Sequence, residues 1–362
     1  VSVIINNQTY NINVINGSGV LDIASDLSVG EYTATVLYNG TQNYTKMMNT
    51  TSFKINKSSE ISCNVGVIDS TYGNTTIKVD LPGDATGNVT LTVDGVDYTV
   101  PVVNGTAIFE LGNNVTAGSH DITVTYNGDD NYNNVTKKEK ITVTKAIIDP
   151  DDVKVNVINS TYGNVIIEVS VPGDANGDVT LTVDGVDYTV PVVNGTAIFE
   201  LGRNVTAGDH NITVDYSGDD NYKGVTKKDN IIVTKATLNP DDVKVDVINS
   251  TYGNVTIEVT VPKDATGNVT ITIGDRNFTA PIVNGTATFE LGDNVTAGDH
   301  NITVVYSGDE NYNNFTKLDN ITIDKATIDP DKVIEVIPGD NNITVVVKLP
   351  GDATGNITVT IN

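Results

Sequence analysis

The chain has no tryptophan, one cysteine, two methionines and three histidines, and arginine occurs only as Arg203 and Arg276. Each scarcity removes a class of protein. A lone cysteine, Cys63, supports no intrachain disulfide framework. Cys63 stands where later stretches carry Val153 and Val243, so it reads as a small core hydrophobe. Basic residues number 21 against 46 acidic ones. The resulting net charge of −25 argues against nucleic acid, whose phosphates need clustered Lys and Arg. It equally disfavours adsorption to anionic lipid. No apolar run reaches the roughly 18 residues of a spanning helix, so no membrane span is expected in this segment. The chain starts at Val1 with no basic n-region, which puts any signal peptide outside it. EF-hand and glycine-rich nonapeptide calcium loops are absent from the sequence too.

What is plentiful is Asn, Thr, Gly and β-branched residues, a mixture that favours short strands and tight turns over helices. It is also repeated. Residues 89–112 (VTLTVDGVDYTVPVVNGTAIFELG) recur unchanged at 179–202 and, diverged, at 269–292. Pro82, Pro172 and Pro262 step with the same 90-residue period, as do His120, His210 and His300, and Tyr126, Tyr216 and Tyr306. The period defines three complete units, 58–147, 148–237 and 238–327. Residues 1–57 align with the later part of a unit and 328–362 with the early part. A solenoid normally repeats every 20 to 50 residues or so, whereas a unit this long can own its core.

Within a unit the apolar period is two. Ile77, Val79 and Leu81 alternate with Thr76, Lys78 and Asp80, and Ile122, Val124 and Tyr126 with Thr123 and Thr125. Such alternation marks half-buried antiparallel strands. Asp94-Gly95 and Asn104-Gly105 supply the positive φ of tight hairpins. Seven strands are expected near 60–68, 75–81, 88–93, 96–103, 106–111, 119–126 and 138–144. The fold class is all-β: tandem seven-stranded antiparallel sandwiches, beads on a string.

The stretch from Ala117 and Gly118 through His120, Ile122, Val124, Tyr126, Gly128, Asp129 and Tyr132, closing on Lys145-Ala146, resembles the bacterial-type Ig-like repeat domain. That family runs Gly-x-His/Tyr, an alternating apolar strand, Tyr-x-Gly-Asp-x-x-Tyr and a last strand ending in Lys-Ala. The match returns at 207–236 and 297–326, and more weakly at 29–57. The resemblance implies an immunoglobulin-like fold and a place in a large adhesin-like surface protein of bacteria or methanogenic archaea. It departs from antibody domains in lacking their Cys pair and core Trp, and it transfers no catalytic residue.

Sequons are dense: 26 of 44 asparagines stand in Asn-x-Ser/Thr, against roughly 8 by chance. Asn39, Asn88, Asn114, Asn204, Asn268, Asn294, Asn301 and Asn320 are candidate N-glycosylation sites. At Asn104, Asn194 and Asn284 the same triplet is equally a good hairpin turn. The recurring histidines read as structural, since the sequence shows no second ligand or paired carboxylate recurring beside them. The recurring tyrosines read as core residues whose hydroxyls bond to backbone.

The carboxylates have two readings. Alternating strands put the leading linker, the second-to-third loop, the fourth-to-fifth turn and the sixth-to-seventh loop at one pole. There the second unit gathers Asp151, Asp152, Asp174, Asp219 and Asp220, and the third Asp241, Asp242, Asp264 and Asp309. Hard oxygen ligands at a junction suit Ca²⁺. Solvated acidic turns suit the same residues.

No recurring nucleophile, base or phosphate loop supports an enzyme. A stalk of modules, each roughly 35–40 Å long, is the expected function. The partners are then a host or neighbouring-cell surface protein or glycan, met through regions mostly outside this segment. The alternative is that the modules themselves adhere, or that the complementary end pieces join head to tail into an extracellular filament. A window cut from a longer array is the plainer explanation of those ends. Divergence at Ile273–Phe278 makes the third unit the first place to look for a specific contact.

Overall fold

The structure, a computed structural model, describes residues 1–23 and 27–360. Residues 24–26 and 361–362, in the two end pieces, lie outside the described residues. The unit at 58–147 contains seven strands: Asn64–Asp69, Thr75–Asp80, Asn88–Val93, Val96–Pro101, Thr106–Gly112, Gly118–Tyr126 and Val135–Val143. The first starts later than the sequence pattern predicts and the last starts earlier. In between, the agreement is within two residues.

The seven strands form two sheets. First, second and fifth strands make a three-stranded sheet; fourth, third, sixth and seventh make a four-stranded one, with every pairing antiparallel. The units at 148–237 and 238–327 repeat this order. Alternate residues face inward, as the period of two requires. Ile77, Val79, Leu91, Phe109, Ile122 and Val124 are all buried between the sheets. The hairpin positions Asp94 and Asn104 take φ of 50°. Cys63 is buried like Val153 and Val243, and burial pushes its thiol pKa up. Its role is packing.

The end pieces show what the pairing pattern demands. Residues 1–57 form the third, fourth, sixth and seventh strands, at Ser2–Ile5, Gln8–Asn11, Gly30–Tyr38 and Met47–Ile55. No fifth strand forms among its described residues, because that strand pairs only with a second strand, which this piece does not contain. In 328–360 the first two strands pair, Ile334–Pro338 with Ile343–Val347, but the third, whose neighbours would be the fourth and sixth, stays unpaired. The sandwiches are also less separate than beads. One buried apolar cluster runs from Ile148 to Ile323 through the second junction, while 58–147 keeps its own.

Candidate functional site

The most elaborate polar construction in the chain lies where one sandwich meets the next. At the leading pole of each unit a glycine shapes the sixth-to-seventh loop. Gly128 adopts φ of 82°, and a Cβ there would sit 2.9 Å from the Tyr132 carbonyl oxygen. The loop folds around Asp129. One carboxylate oxygen of Asp129 accepts from the Asn131 and Tyr132 amides at 2.8 Å, and the other accepts from the Thr86 amide at 2.7 Å. Burial would raise the pKa of this carboxyl, but the amides outweigh burial and hold it at about 2. Asp219 and Asp309 repeat the arrangement, and both carboxyls lie below the ordinary range.

The second-to-third loop contributes the aspartate that reaches across. Asp174 Oδ1 accepts from the Tyr222 hydroxyl of its own unit at 2.8 Å. Its Oδ2 accepts from Tyr72 of the preceding unit at 2.7 Å, and from Asn113 Nδ2 at 3.2 Å. The Tyr72 and Tyr222 rings meet edge to face with centroids 5.4 Å apart. Asp264 is held the same way between Tyr162 at 2.8 Å and Tyr312 at 3.0 Å, and the tyrosine rings are 5.5 Å apart. Arg203 replaces Asn113 there, its Nε 3.3 Å from Asp264. A third copy joins Tyr252 to Asp352. The Tyr72 hydroxyl, with Tyr222 behind it, lowers the Asp174 pKa. Burial, and then the bond to the aspartate, pushes Tyr72 and Tyr162 up to about 12.

Backbone groups complete the contact. Ala117 N donates to Asn221 Oδ1 at 2.9 Å, and Ala207 N donates to Asn311 Oδ1 at 2.9 Å. The linker lies along the same loop: Ala146 exchanges two 2.9 Å bonds with the Asn221 carbonyl and the Lys223 amide. Lys145 and Lys235 donate to the Asp219 and Asp309 carbonyls. Linker, loop and preceding sandwich are tied at several points each.

These bonds occupy four of the nine carboxylates expected at the pole, Asp174, Asp219, Asp264 and Asp309. The remaining calcium candidates, Asp151, Asp152, Asp220, Asp241 and Asp242, are exposed in turns. Asp241 and Asp242 belong to a short 3-10 turn capped by Asn239. Among the described residues no three His, Cys, Asp or Glu side chains come together in a way that could hold a metal ion.

The histidines correct the sequence reading, because a carboxylate does recur beside two of them. His120 Nδ1 lies 2.6 Å from Asp94 Oδ2, and His210 Nδ1 lies 2.6 Å from Asp184 Oδ2. The partner is the hairpin aspartate, 26 residues back and read only as a turn residue. Gly274 takes that place in the third unit, so the three copies are not equivalent. There Arg276 joins the hairpin to Asn294, at 2.9 Å from its carbonyl. Of the divergent residues of the third unit, Arg276 thus serves an internal contact. Among the tyrosines, the Tyr126 hydroxyl donates to the Thr86 carbonyl at 2.8 Å, as expected. Among the described residues the buried hydroxyls of Tyr216 and Tyr306 meet no partner at hydrogen-bond geometry, and Tyr132, Tyr222 and Tyr312 bond to aspartate carboxylates instead of backbone.

Asn39, Asn88, Asn114, Asn204, Asn268, Asn294, Asn301 and Asn320 are all exposed. Asn301 and Asn320 face each other directly on the sixth and seventh strands of the third unit. The Asn294 amide donates to the Leu291 carbonyl at 2.9 Å.

A tandem array of immunoglobulin-like sandwiches with tied junctions is the class that this fold defines. Residues 66–144 and 245–324 match the model of the bacterial Ig-like domain (group 3), so the first and third complete units are domains of that family. The unit between them shares their strand order. No curated protein matches the chain. Among solved structures, one on host cell surface retention of a 1.5-MDa bacterial ice-binding adhesin is similar at 17% identity and a TM-score of 0.25, over 75% of this chain and 99% of that one. The chicken interferon gamma receptor alpha chain is similar at 11% identity and a TM-score of 0.30, over 49% of this chain and 100% of that one. Fibronectin(III)-like modules of Clostridium thermocellum CbhA give 17% identity and a TM-score of 0.18, over 47% and 94%. Likenesses this distant carry nothing about function.

Proposed function

We propose that the chain is a section of the stalk of a secreted, N-glycosylated, adhesin-like cell-surface protein, and that it catalyses no reaction. Its work is mechanical. The observation that carries this reading is the doubly held aspartate, Asp174 between Tyr72 and Tyr222, rebuilt 90 residues later as Asp264 between Tyr162 and Tyr312. A string of freely swivelling modules has no use for a buried tyrosine on one sandwich aimed at a carboxylate on the next. Each junction combines a charge-assisted hydroxyl bond, an aromatic edge contact and backbone bonds. Hydrogen bonds to charged groups contribute about 1.5–3 kcal/mol, and exposure of the aspartates pulls the figure toward the low end. Fixed junctions let modules project a distal binding region toward a host or neighbouring-cell protein or glycan. Small-angle scattering on the purified chain tests it. A stalk gives a thin particle with the cross-section of one sandwich and a sharp maximum dimension; a broad distribution of dimensions refutes stiff projection.

A further inference from the structure

One of three equivalent sequons is built differently from the other two. Asn114, Asn204 and Asn294 each open an Asn-Val-Thr triplet in the loop between the fifth and sixth strands. The loop is framed alike in every unit. The asparagine backbone amide donates to a leucine carbonyl, of Leu111, Leu201 or Leu291, at 3.0 Å. The central valine, Val115, Val205 or Val295, is buried. Behind it the carbonyl oxygen of Thr116, Thr206 or Thr296 lies 2.8, 2.8 or 2.7 Å from a histidine Nε2.

What differs is the asparagine side chain. Asn114 and Asn204 are exposed, and among the described residues their side chains make no hydrogen bond. The Asn294 side chain is engaged through both of its polar atoms. Its Nδ2 donates to the Leu291 carbonyl at 2.9 Å, and its Oδ1 accepts from Arg276 Nη1 at 3.1 Å. The same Nη1 donates to the Asn294 backbone carbonyl at 2.9 Å. Arg276 comes from the hairpin between the third and fourth strands, where the other two units carry exposed Val96 and Val186. A valine has no donor to offer, so one substitution separates the third sequon from its two counterparts.

We propose that Arg276 is a specificity-determining residue for N-glycosylation: it closes the Asn294 sequon in the folded chain, while Asn114 and Asn204 stay open. Attachment forms a bond between the anomeric carbon of a lipid-linked oligosaccharide and the asparagine Nδ2. The bond from that carbon to the lipid phosphate breaks, the lipid phosphate leaves, and the nitrogen gives up one proton. The nitrogen must therefore turn freely toward the donor, and its lone pair must come out of conjugation with the amide carbonyl. Asn294 resists both. Its Nδ2 is turned inward to Leu291, and the guanidinium on Oδ1 draws the lone pair further into the amide. The inference deepens the glycosylation reading and rests on it for its consequence in the native host. Its test supplies the sugar donor and the enzyme, so the two can fail separately.

The folded full chain, incubated with an oligosaccharyltransferase and a lipid-linked oligosaccharide, is followed by glycopeptide mass spectrometry. Asn294 should be modified about fivefold more slowly than Asn114 and Asn204, the factor that one net hydrogen bond corresponds to. Arg276→Val, which copies the other units, should bring the three rates together. Side-chain amide exchange by NMR reads the same latch without an enzyme: the Asn294 Nδ2 protons should exchange about fivefold more slowly than those of Asn114 and Asn204, and equally in Arg276→Val. Equal exchange at the three asparagines of the parent chain, or an Asn294 that stays slow in Arg276→Val, overturns the proposal. Bare asparagines throughout protein from the native host, with the exchange difference intact, would refute the glycosylation reading alone.

Discussion

Tyr72 and Asp174, 102 residues apart in the chain, meet across the first junction in a hydroxyl–carboxylate bond of 2.7 Å. Tyr72 is 6% exposed, and its ring edge packs on Tyr222, which holds the other oxygen of the same carboxylate. Tyr72→Phe keeps the ring and removes only the donor. Module folding should be unchanged, while docking at the first junction weakens by about 1.5 kcal/mol, the low end of the range for a bond to a charged acceptor. The measurement is the alignment of the first two modules by residual dipolar couplings; one shared alignment tensor in the variant would count against the bond.

The junction should open at both ends of the pH scale. The Asp174 carboxyl lies below its ordinary value when docked, so its contribution is whole above about pH 4 and is lost as pH falls through the depressed pKa. Tyr72 and Tyr162 run the other way. Their docked pKa of about 12 exceeds the ordinary tyrosine value, so their contribution is whole below about pH 10 and disappears as pH rises through about 12. Spectrophotometric tyrosine titration should show late-ionising residues in the parent chain. Tyr72→Phe with Tyr162→Phe should remove two of them.

Arg203 makes the second junction the more salt-sensitive one. The pair with Asp264 is largely exposed, with 63% of the arginine side chain accessible, so it adds at most about 1 kcal/mol and is screened by salt. Arg203→Asn reproduces Asn113 of the first junction. Raising salt should loosen the second junction in the parent chain and leave this variant unmoved, as followed by distances between spin labels on the two modules.

The exposed sequons are expected to carry glycans in the native host, with Asn114 and Asn204 among those occupied. Asn301 and Asn320 are direct cross-strand partners, whose Cβ atoms lie roughly 5 Å apart. Two bulky glycans compete for that space. Glycopeptide mass spectrometry should find one or the other occupied on a given molecule, and frequent double occupancy would contradict this.

The strands were legible because their apolar residues alternate and their turns need Asp-Gly and Asn-Gly, which are local signals. Sites made of distant residues were not. Asp94 reads as a turn residue, and nothing local says that His120 lies against it. Tyr72 sits in a Thr-Tyr-Gly turn, and only the docked neighbour shows that its hydroxyl is aimed at Asp174. A signal existed all the same. Tyr72, Tyr162 and Tyr252 recur in step with Asp174, Asp264 and Asp352, a pairing that becomes meaningful once poles are assigned. Strand alternation points to the loops that carry Asp174, Asp219, Asp264 and Asp309, but composition alone does not show that amide and hydroxyl donors reach these carboxylates.

The central claim is that junction side chains hold neighbouring modules in a fixed relation. Its most direct test is the spin-label distance distribution across the second junction, in a Cys63→Ser background with chelator present. The account predicts a narrow distribution that calcium does not sharpen, and marked broadening when Asp264→Asn is combined with Tyr162→Phe. A broad distribution in chelator that narrows only on adding calcium would contradict it.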